Sequence, residues 1–357
     1  MSTPIPYIQP WLDDPAVERI MIDGWQHVYI EKNGSFVDVP TPFQSEDELV
    51  ALIDAIADAY GIQVDECKPL ASFRLRGGAR VEVVLPPISL VGPAVTVMKV
   101  SSKPIQLEDL LQSGAITQPA VDFLRACVQA RVNIAISGAA NSGKSTLLKI
   151  MANWIPQDER ILFLQSVGLP GFSHPRLVTL ETRPPNIEGS GAITLRDLVQ
   201  CALRMRPDRI LVEELLGGEA FELVEAMNRG HDGCLFTLNS YNPRDTLTRL
   251  EHLLGLGNPE FPLIALREQI SSAIDLNVHM EVMRDGSRKV VNITEVTGME
   301  KGVITMTDIF QFEQTGYVNG AITGTLHATG LVPKFLDYLK AAGIELPDSL
   351  FKLPPRP

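Results

Sequence analysis

The sequence predicts an α/β protein of two domains, a small α+β domain followed by a larger one built on a doubly wound, mainly parallel sheet. Three observations carry that prediction. Over the first hundred residues, short apolar runs alternate with Asp23-Gly24, Asn33-Gly34 and Gly77-Gly78, dipeptides that supply the positive φ of tight hairpins. From about residue 119 onward, apolar strands alternate with helix-period segments instead. The stretch ISGAANSGKSTLLKI, residues 136–150, then sets a glycine-rich loop between a strand and a helix. At 357 residues the chain is long enough for two cores of roughly 100–200 residues each.

In chain order, RIMI (19–22), HVYIEK (27–32), ASFRLR (71–76) and ARVEVVLP (79–86) read as antiparallel strands. Between them SEDELVALIDAIADAY (45–60) has helical periodicity, with Ser45 as N-cap and Glu48 completing a capping box. AVTVMKV (94–100) is a further strand and closes the first domain, residues 1–105. The Ser, Pro and Gly of SSKPIQLEDLLQSGAI (101–116) mark a connector, so residues 106–118 are expected as a linker. The second domain, 119–357, opens with a helix at AVDFLRACVQA (120–130), the strand VNIAIS (132–137), the glycine loop and a helix from about Lys144. Strands RILFLQ (160–165), RLVTLE (176–181), RILVE (209–213) and CLFTLN (234–239) follow. Among them TLRDLVQCALRM (194–205) is helical, capped by Thr194 and Asp197. A C-terminal β/helical extension ends in the proline-rich LPPRP (353–357), expected to lack local structure.

Composition narrows the function classes. With 45% hydrophobic and 21% charged residues the chain is an ordinary folded protein rather than a disordered one. Its net charge of -12 speaks against a broad nucleic-acid-binding surface, so no direct nucleic-acid partner is expected. No apolar run approaches the ~18 residues of a spanning helix, and MSTPIPYIQPWLDDP lacks the basic-then-apolar form of a signal peptide. A cytoplasmic protein that meets a membrane only through partners is the expectation. Cys67, Cys127, Cys201 and Cys234 are widely spaced, which points to neither a zinc site nor a disulfide framework.

Gly138, Gly143, Lys144 and Ser145 occupy the fixed positions of G-x-x-x-x-G-K-[ST], with Asn141, Ser142 and Thr146 completing the loop. Backbone N–H groups in such a loop converge on phosphate oxygens, and the following helix points its positive end at the same anion. Lys144 would neutralise the β/γ-phosphates of ATP and the Ser145 hydroxyl would hold Mg²⁺. PDRILVEELLGGEA (207–220) is an apolar strand ending in Glu213 and Glu214, where a parallel sheet offers carboxylates to Mg²⁺ or water. Their side chains should diverge, and Glu214 is the expected functional one. His231, framed by Gly230 and Gly233, is a candidate to meet a phosphate or a neighbouring subunit.

The run LETRPPNIEGSGAITLRDLVQCALRMRPDRILVEELLGGEAFELVEAMNRGHDG (180–233) closely resembles the CpaF-type Tad pilus ATPases, a branch of the type II/type IV secretion traffic ATPase superfamily. NPRDTLTRLE (242–251), ALREQISSAIDLNVHMEVMRDGSRKVVNITEV (265–296) and GARVEVVLPPISLVGPAVTV (78–97) share the resemblance, which covers roughly residues 20–312. It implies a RecA-like P-loop ATPase domain behind an N-terminal domain, with ATP and Mg²⁺ as ligands. It also implies a cytoplasmic hexamer, or a mixed ring, that docks on an inner-membrane pilus or secretion platform protein. Gly138, Gly143, Lys144 and Ser145, Glu214, His231 and the arginines Arg80, Arg183, Arg204 and Arg206 match the family pattern.

The departures cluster around catalysis. Gln165 and Ser166 stand where the family carries an acidic pair, Asn239 replaces the second histidine of the histidine box, and Met98-Lys99 replaces Arg-Lys. Glu213 and Leu216 replace a glycine and an arginine beside Glu214. Glutamine orients water but cannot accept its proton at neutral pH. Two functions therefore stand open: a ring that hydrolyses ATP to power pilus assembly or secretion, and a nucleotide-binding pseudo-ATPase acting as an assembly or regulatory subunit.

Overall fold

The computed structural model describes residues 6–32, 35–75, 78–99, 105–166, 171–183, 185, 190–318 and 320–353, and the Asn33-Gly34 turn and the tail from 354 lie outside that set. The chain forms two compact units. One comprises residues 1–104, 167–169 and 183–192, and the other 105–166, 170–182 and 193–357.

The N-terminal unit runs α1 (Gln9–Asp13), β1 (Val17–Asp23), β2 (Val28–Lys32), β3 (Ser35–Val39), α2 (Glu46–Tyr60), β4 (Leu70–Arg74), β5 (Arg80–Val84) and β6 (Ala94–Met98). Its strands form one antiparallel sheet in the order β3-β2-β1-β6-β5-β4. Alternation buries Val81, Val83, Val95 and Val97 on one face, in the same core as Leu49, Leu52, Ile53 and Ile56 of α2. Glycine is required at Gly24 (φ +70°), where a Cβ would stand 2.4 Å from the Val91 carbonyl oxygen. The expected capping box is displaced by one residue. Ser45 is the N-cap but its side chain makes no capping bond, and the Glu48 carboxylate accepts the Gln44 N–H at 2.7 Å instead. Lys99 donates to the carbonyls of Trp11 and Asp14, which ties α1 to the end of β6, and burial lowers its pKa.

The second unit runs α3 (Leu107–Gln112), α4 (Gln118–Gln129), β7 (Ile134–Gly138), α5 (Lys144–Ala152), β8 (Ile161–Gln165), β9 (Leu177–Glu181), α6 (Leu195–Arg204) and β10 (Arg209–Val212). It continues with α7 (Glu219–Asn228), β11 (Leu235–Asn239), α8 (Pro243–Gly257), α9 (Leu263–Ala273), β12 (Leu276–Val282), β13 (Arg288–Glu300), β14 (Val303–Val318), β15 (Ala321–Ala328) and α10 (Leu336–Ala341). The strands form one sheet in the order β15-β14-β13-β12-β7-β11-β10-β8-β9. From β9 to β12 neighbours are parallel, and β12 to β15 continue as an antiparallel meander. β7, β8 and β10 are buried along their whole length, as strands covered on both faces must be. Helices α4 and α5 contribute to one apolar cluster and α6 to α9 to the other.

Residues 106–118 are not the expected linker. Leu107, Leu110 and Leu111 of α3 pack on the core of the second unit, so apolar spacing outweighs the Ser, Pro and Gly signal there. The cap of α6 is as expected: the Thr194 hydroxyl accepts the Asp197 N–H, and the Asp197 carboxylate accepts the Thr194 N–H at 2.8 Å.

A buried cation braces the start of β10. The Arg209 side chain is fully buried; its Nε donates to Glu159, which also pairs with Arg131 at 3.2 Å, and another nitrogen donates to the Val128 carbonyl at 2.8 Å. Removing one partner of a buried pair costs about 3–5 kcal/mol, and Arg131 keeps Glu159 partly compensated. Arg209→Ala is therefore expected to lower the unfolding free energy by about 3 kcal/mol in urea denaturation. A loss below about 1 kcal/mol would mean that the pair contributes little.

Candidate functional site

The carboxyl ends of β7, β8, β10 and β11 converge on one edge of the sheet, and the chemistry gathers there. β7 is flanked by β11 and β12, in a register that sets Gly138 beside Asn239 and Met280. Gly138 (φ +148°) has no room for a side chain, because a Cβ would lie 2.2 Å from the Met280 carbonyl oxygen. Asn141 holds a positive φ of 62°, and its carbonyl accepts the Arg288 Nε–H at 2.8 Å. Gly143 (φ +100°) is the N-cap of α5, and Lys144, Ser145 and Thr146 form that helix's first turn. The unpaired N–H groups and positive dipole of the turn form an anion site.

Lys144 is buried and donates to the Ala139 carbonyl at 2.7 Å. Burial pushes its pKa down, and the nearby Glu214 carboxylate opposes that shift. The Ser142 hydroxyl is fully buried without a partner among the described residues. Across the edge, Asn239 Nδ2 donates to Glu214 Oε1 at 2.6 Å, and Glu213 Oε1 lies 2.9 Å from Lys149 Nζ. Gln165 ends β8 and is buried. The Ser166 carbonyl accepts the Thr182 hydroxyl. Leu216 is exposed.

The donors fit Mg²⁺, a hard cation that takes hydroxyl and carboxylate oxygens. Ser145, Glu213 and Glu214 would supply them, and Glu213 Oε2 is buried without a partner among the described residues.

Not every expected site residue joins this edge. His231 precedes β11 and so stands at the opposite end of that strand from Asn239, away from this chain's own loop, which leaves the expected contact to a neighbouring subunit open. A five-residue strand puts roughly 16 Å between the two ends. Arg206 (φ +53°) is exposed in the turn before β10, also at the amino edge. Arg80 pairs with Glu82, and Arg183 donates to the Gly191 carbonyl at 2.9 Å; both belong to the N-terminal unit. Within the second unit the loop's cationic partner from the expected set is Lys144.

Sequence reasoning missed four contributors. Lys149, His279, Met280 and Arg288 all touch the loop, its strand or its carboxylates. Three of them come from β12 and β13, and their only local sign was the hairpin dipeptide Asp285-Gly286. His279 Nδ1 shares a hydrogen bond of 2.8 Å with the Ser137 hydroxyl beneath the loop, and burial pushes its pKa down to about 4.

A family model described as Type II/IV secretion system protein matches residues 6–305. A putative conjugal transfer protein of Mycobacterium tuberculosis (strain H37Rv) is 30% identical over 306 residues, which are 84% of this chain and 86% of that protein. The conjugal transfer protein TrbB of Rhizobium radiobacter is 31% identical over 314 residues, 86% of this chain and 92% of its own length. The X-ray structure of the Legionella pneumophila ATPase DotB is similar in fold, with a TM-score of 0.55 at 18% identity over 83% of this chain and 80% of that one.

The buried imidazole has a consequence for stability. His279 titrates near 4 when folded and near its ordinary 6.5 when unfolded, so unfolding takes up a proton between those values. Its contribution is complete above pH 6.5 and is lost as pH falls towards about 4. His279→Gln is expected to flatten the stability profile in that window, measured by urea midpoints at successive pH values. An unchanged slope would place the titration elsewhere.

Proposed function

The chain belongs to the type II/IV secretion system protein family, whose model matches residues 6–305, and from that premise we propose that it is an ATPase powering pilus assembly or secretion. One observation carries the proposal: a loop whose Gly138 has no space for a Cβ, leading into α5 at Lys144, faces the Glu214–Asn239 pair on the same sheet edge. Loop and helix N–H groups bind the phosphates, and Lys144 exchanges the Ala139 carbonyl for the β/γ-phosphate oxygens. The Ser145 hydroxyl and a carboxylate of the edge would hold Mg²⁺, which would supply neutralisation of charge on those oxygens when bound.

Turnover is slow. Glu214 orients the attacking water and Asn239 holds its carboxylate, but Asn239 brings no positive charge, and Gln165, at the end of β8 on the same sheet edge, cannot accept a proton. If one lost contact to the transition state costs about 3 kcal/mol, the rate falls about a hundredfold. The chain works in a ring, as a homo-hexamer or beside a related subunit, docked on an inner-membrane platform protein while staying cytoplasmic itself. What supports the ring is the position of Arg206 and His231, which lie at the amino edge, away from this chain's own loop, and so serve a phosphate held by a neighbouring subunit. What supports the Tad branch is the resemblance of the TRPPNIEG and ALRMRPDRI runs (182–189 and 202–210) to that branch's pattern.

One observation favours the alternative pseudo-ATPase. Lys99, which stands beside Met98 where the family pattern has Arg-Lys, is committed to two backbone carbonyls. Steady-state ATP hydrolysis by the full chain separates the readings: the wild type is expected above a Lys144→Ala control, and Gln165→Glu with Asn239→His is expected to raise it further. Wild type equal to the control, with nucleotide still bound in calorimetry, establishes the pseudo-ATPase.

A further inference from the structure

The two glutamates that follow β10 meet different partners. The backbone of Glu213 is fixed from both sides: its N–H donates to the Leu164 carbonyl of β8 at 2.9 Å, and its carbonyl accepts the Thr237 hydroxyl of β11. From that fixed point Glu213 turns to α5, where Oε1 meets Lys149 Nζ at 2.9 Å, while Glu214 turns to Asn239. Lys149 lies four residues after Ser145 in α5, so both side chains project from one stripe of the helix, roughly 6 Å apart. Glu213 therefore reaches the same stripe that presents the Ser145 hydroxyl. Its second oxygen, Oε2, is buried and has no partner among the described residues. A buried carboxylate oxygen without a donor is half of an interaction.

On the reading of residues 138–145 as a site for ATP with Mg²⁺, we propose that Glu213 is the carboxylate on the Mg²⁺ side, that Lys149 is its counter-ion until the cation arrives, and that Glu214 and Asn239 are left to the water. The phosphate-loop hydroxyl and a carboxylate at a strand end share the cation in P-loop enzymes, and here the hydroxyl stripe meets Glu213. The pattern of the family this chain resembles has glycine at this position, so the second carboxylate is a departure from that pattern. An ammonium 2.9 Å from one oxygen competes with a divalent cation for the same charge. That competition separates the proposal from a plain structural brace. A brace is weakened by removing either partner, whereas a counter-ion and a ligand act on the cation with opposite sign.

The test is a Mg²⁺ titration of N-methylanthraniloyl-ATP binding to the full chain, read by fluorescence, with urea midpoints recorded to confirm folding. Glu213→Gln is expected to raise the Mg²⁺ midpoint about tenfold, in the range of lost metal-supporting contacts, and Glu213→Asp to restore most of it. Lys149→Met is expected to lower the midpoint. An unchanged midpoint in Glu213→Gln, or shifts of the same sign in both variants, overturns the proposal and leaves the ATP reading intact. A wild type that binds no analogue with or without Mg²⁺ overturns the ATP reading itself, and the role of Glu213 with it.

Discussion

Everything at the carboxyl edge depends on one steric constraint, the absence of space between Gly138 and the Met280 carbonyl. β7 and β12 run side by side in register, and at the last residue of β7 the neighbouring backbone occupies the volume of a side chain. The chain must turn there, and it turns with dihedrals that glycine accepts at Gly138 and Gly143. α5 consequently begins with its N–H groups aimed over the edge, where the ends of β10 and β11 bring two carboxylates and an amide. The C-terminal meander is thus part of the site, since β12 supplies the constraint and β13 supplies the Arg288 bond to the loop.

The loop is held by the protein's own cations. Lys144 is bonded to Ala139, Arg288 to Asn141, and Lys149 to Glu213, so each of these three cations already has an oxygen partner. Nucleotide binding on this arrangement is an exchange, in which phosphate oxygens replace a backbone carbonyl at Lys144. Exchange of that kind costs less than exposing a bare buried ammonium, whose pKa burial already depresses. Catalysis makes a different demand. It needs a group that takes a proton from water, and the buried side chain ending β8 is an amide.

Much of this was legible in the sequence, and the parts that were not have a common physical cause. Most strands of the N-terminal sheet and the strands from β7 to β11 announce themselves through period and turn dipeptides, and the phosphate loop through a pattern whose glycines have a local steric reason. The fully buried run VNIAIS reads as a strand because helices cover both faces of it. The helix at 107–112 was hidden because its few apolar positions sit among connector-like residues, and only packing on the core reveals it. Lys149, His279 and Arg288 were hidden because their partners lie 64, 142 and 147 residues away, and no spacing rule spans such distances. His231 stayed open between a phosphate and a neighbouring subunit, because spacing along the chain does not show which bound phosphate lies near the amino end of β11.

The central claim is that this edge binds ATP competently and cleaves it slowly, and a single-turnover experiment tests it most directly. With the full chain in excess over labelled ATP and Mg²⁺, binding and phosphate formation are followed by stopped flow and rapid quench. The account predicts that binding is complete long before cleavage, and that phosphate forms about a hundredfold more slowly than in the Gln165→Glu with Asn239→His variant. Phosphate appearing as fast as ATP binds would contradict it.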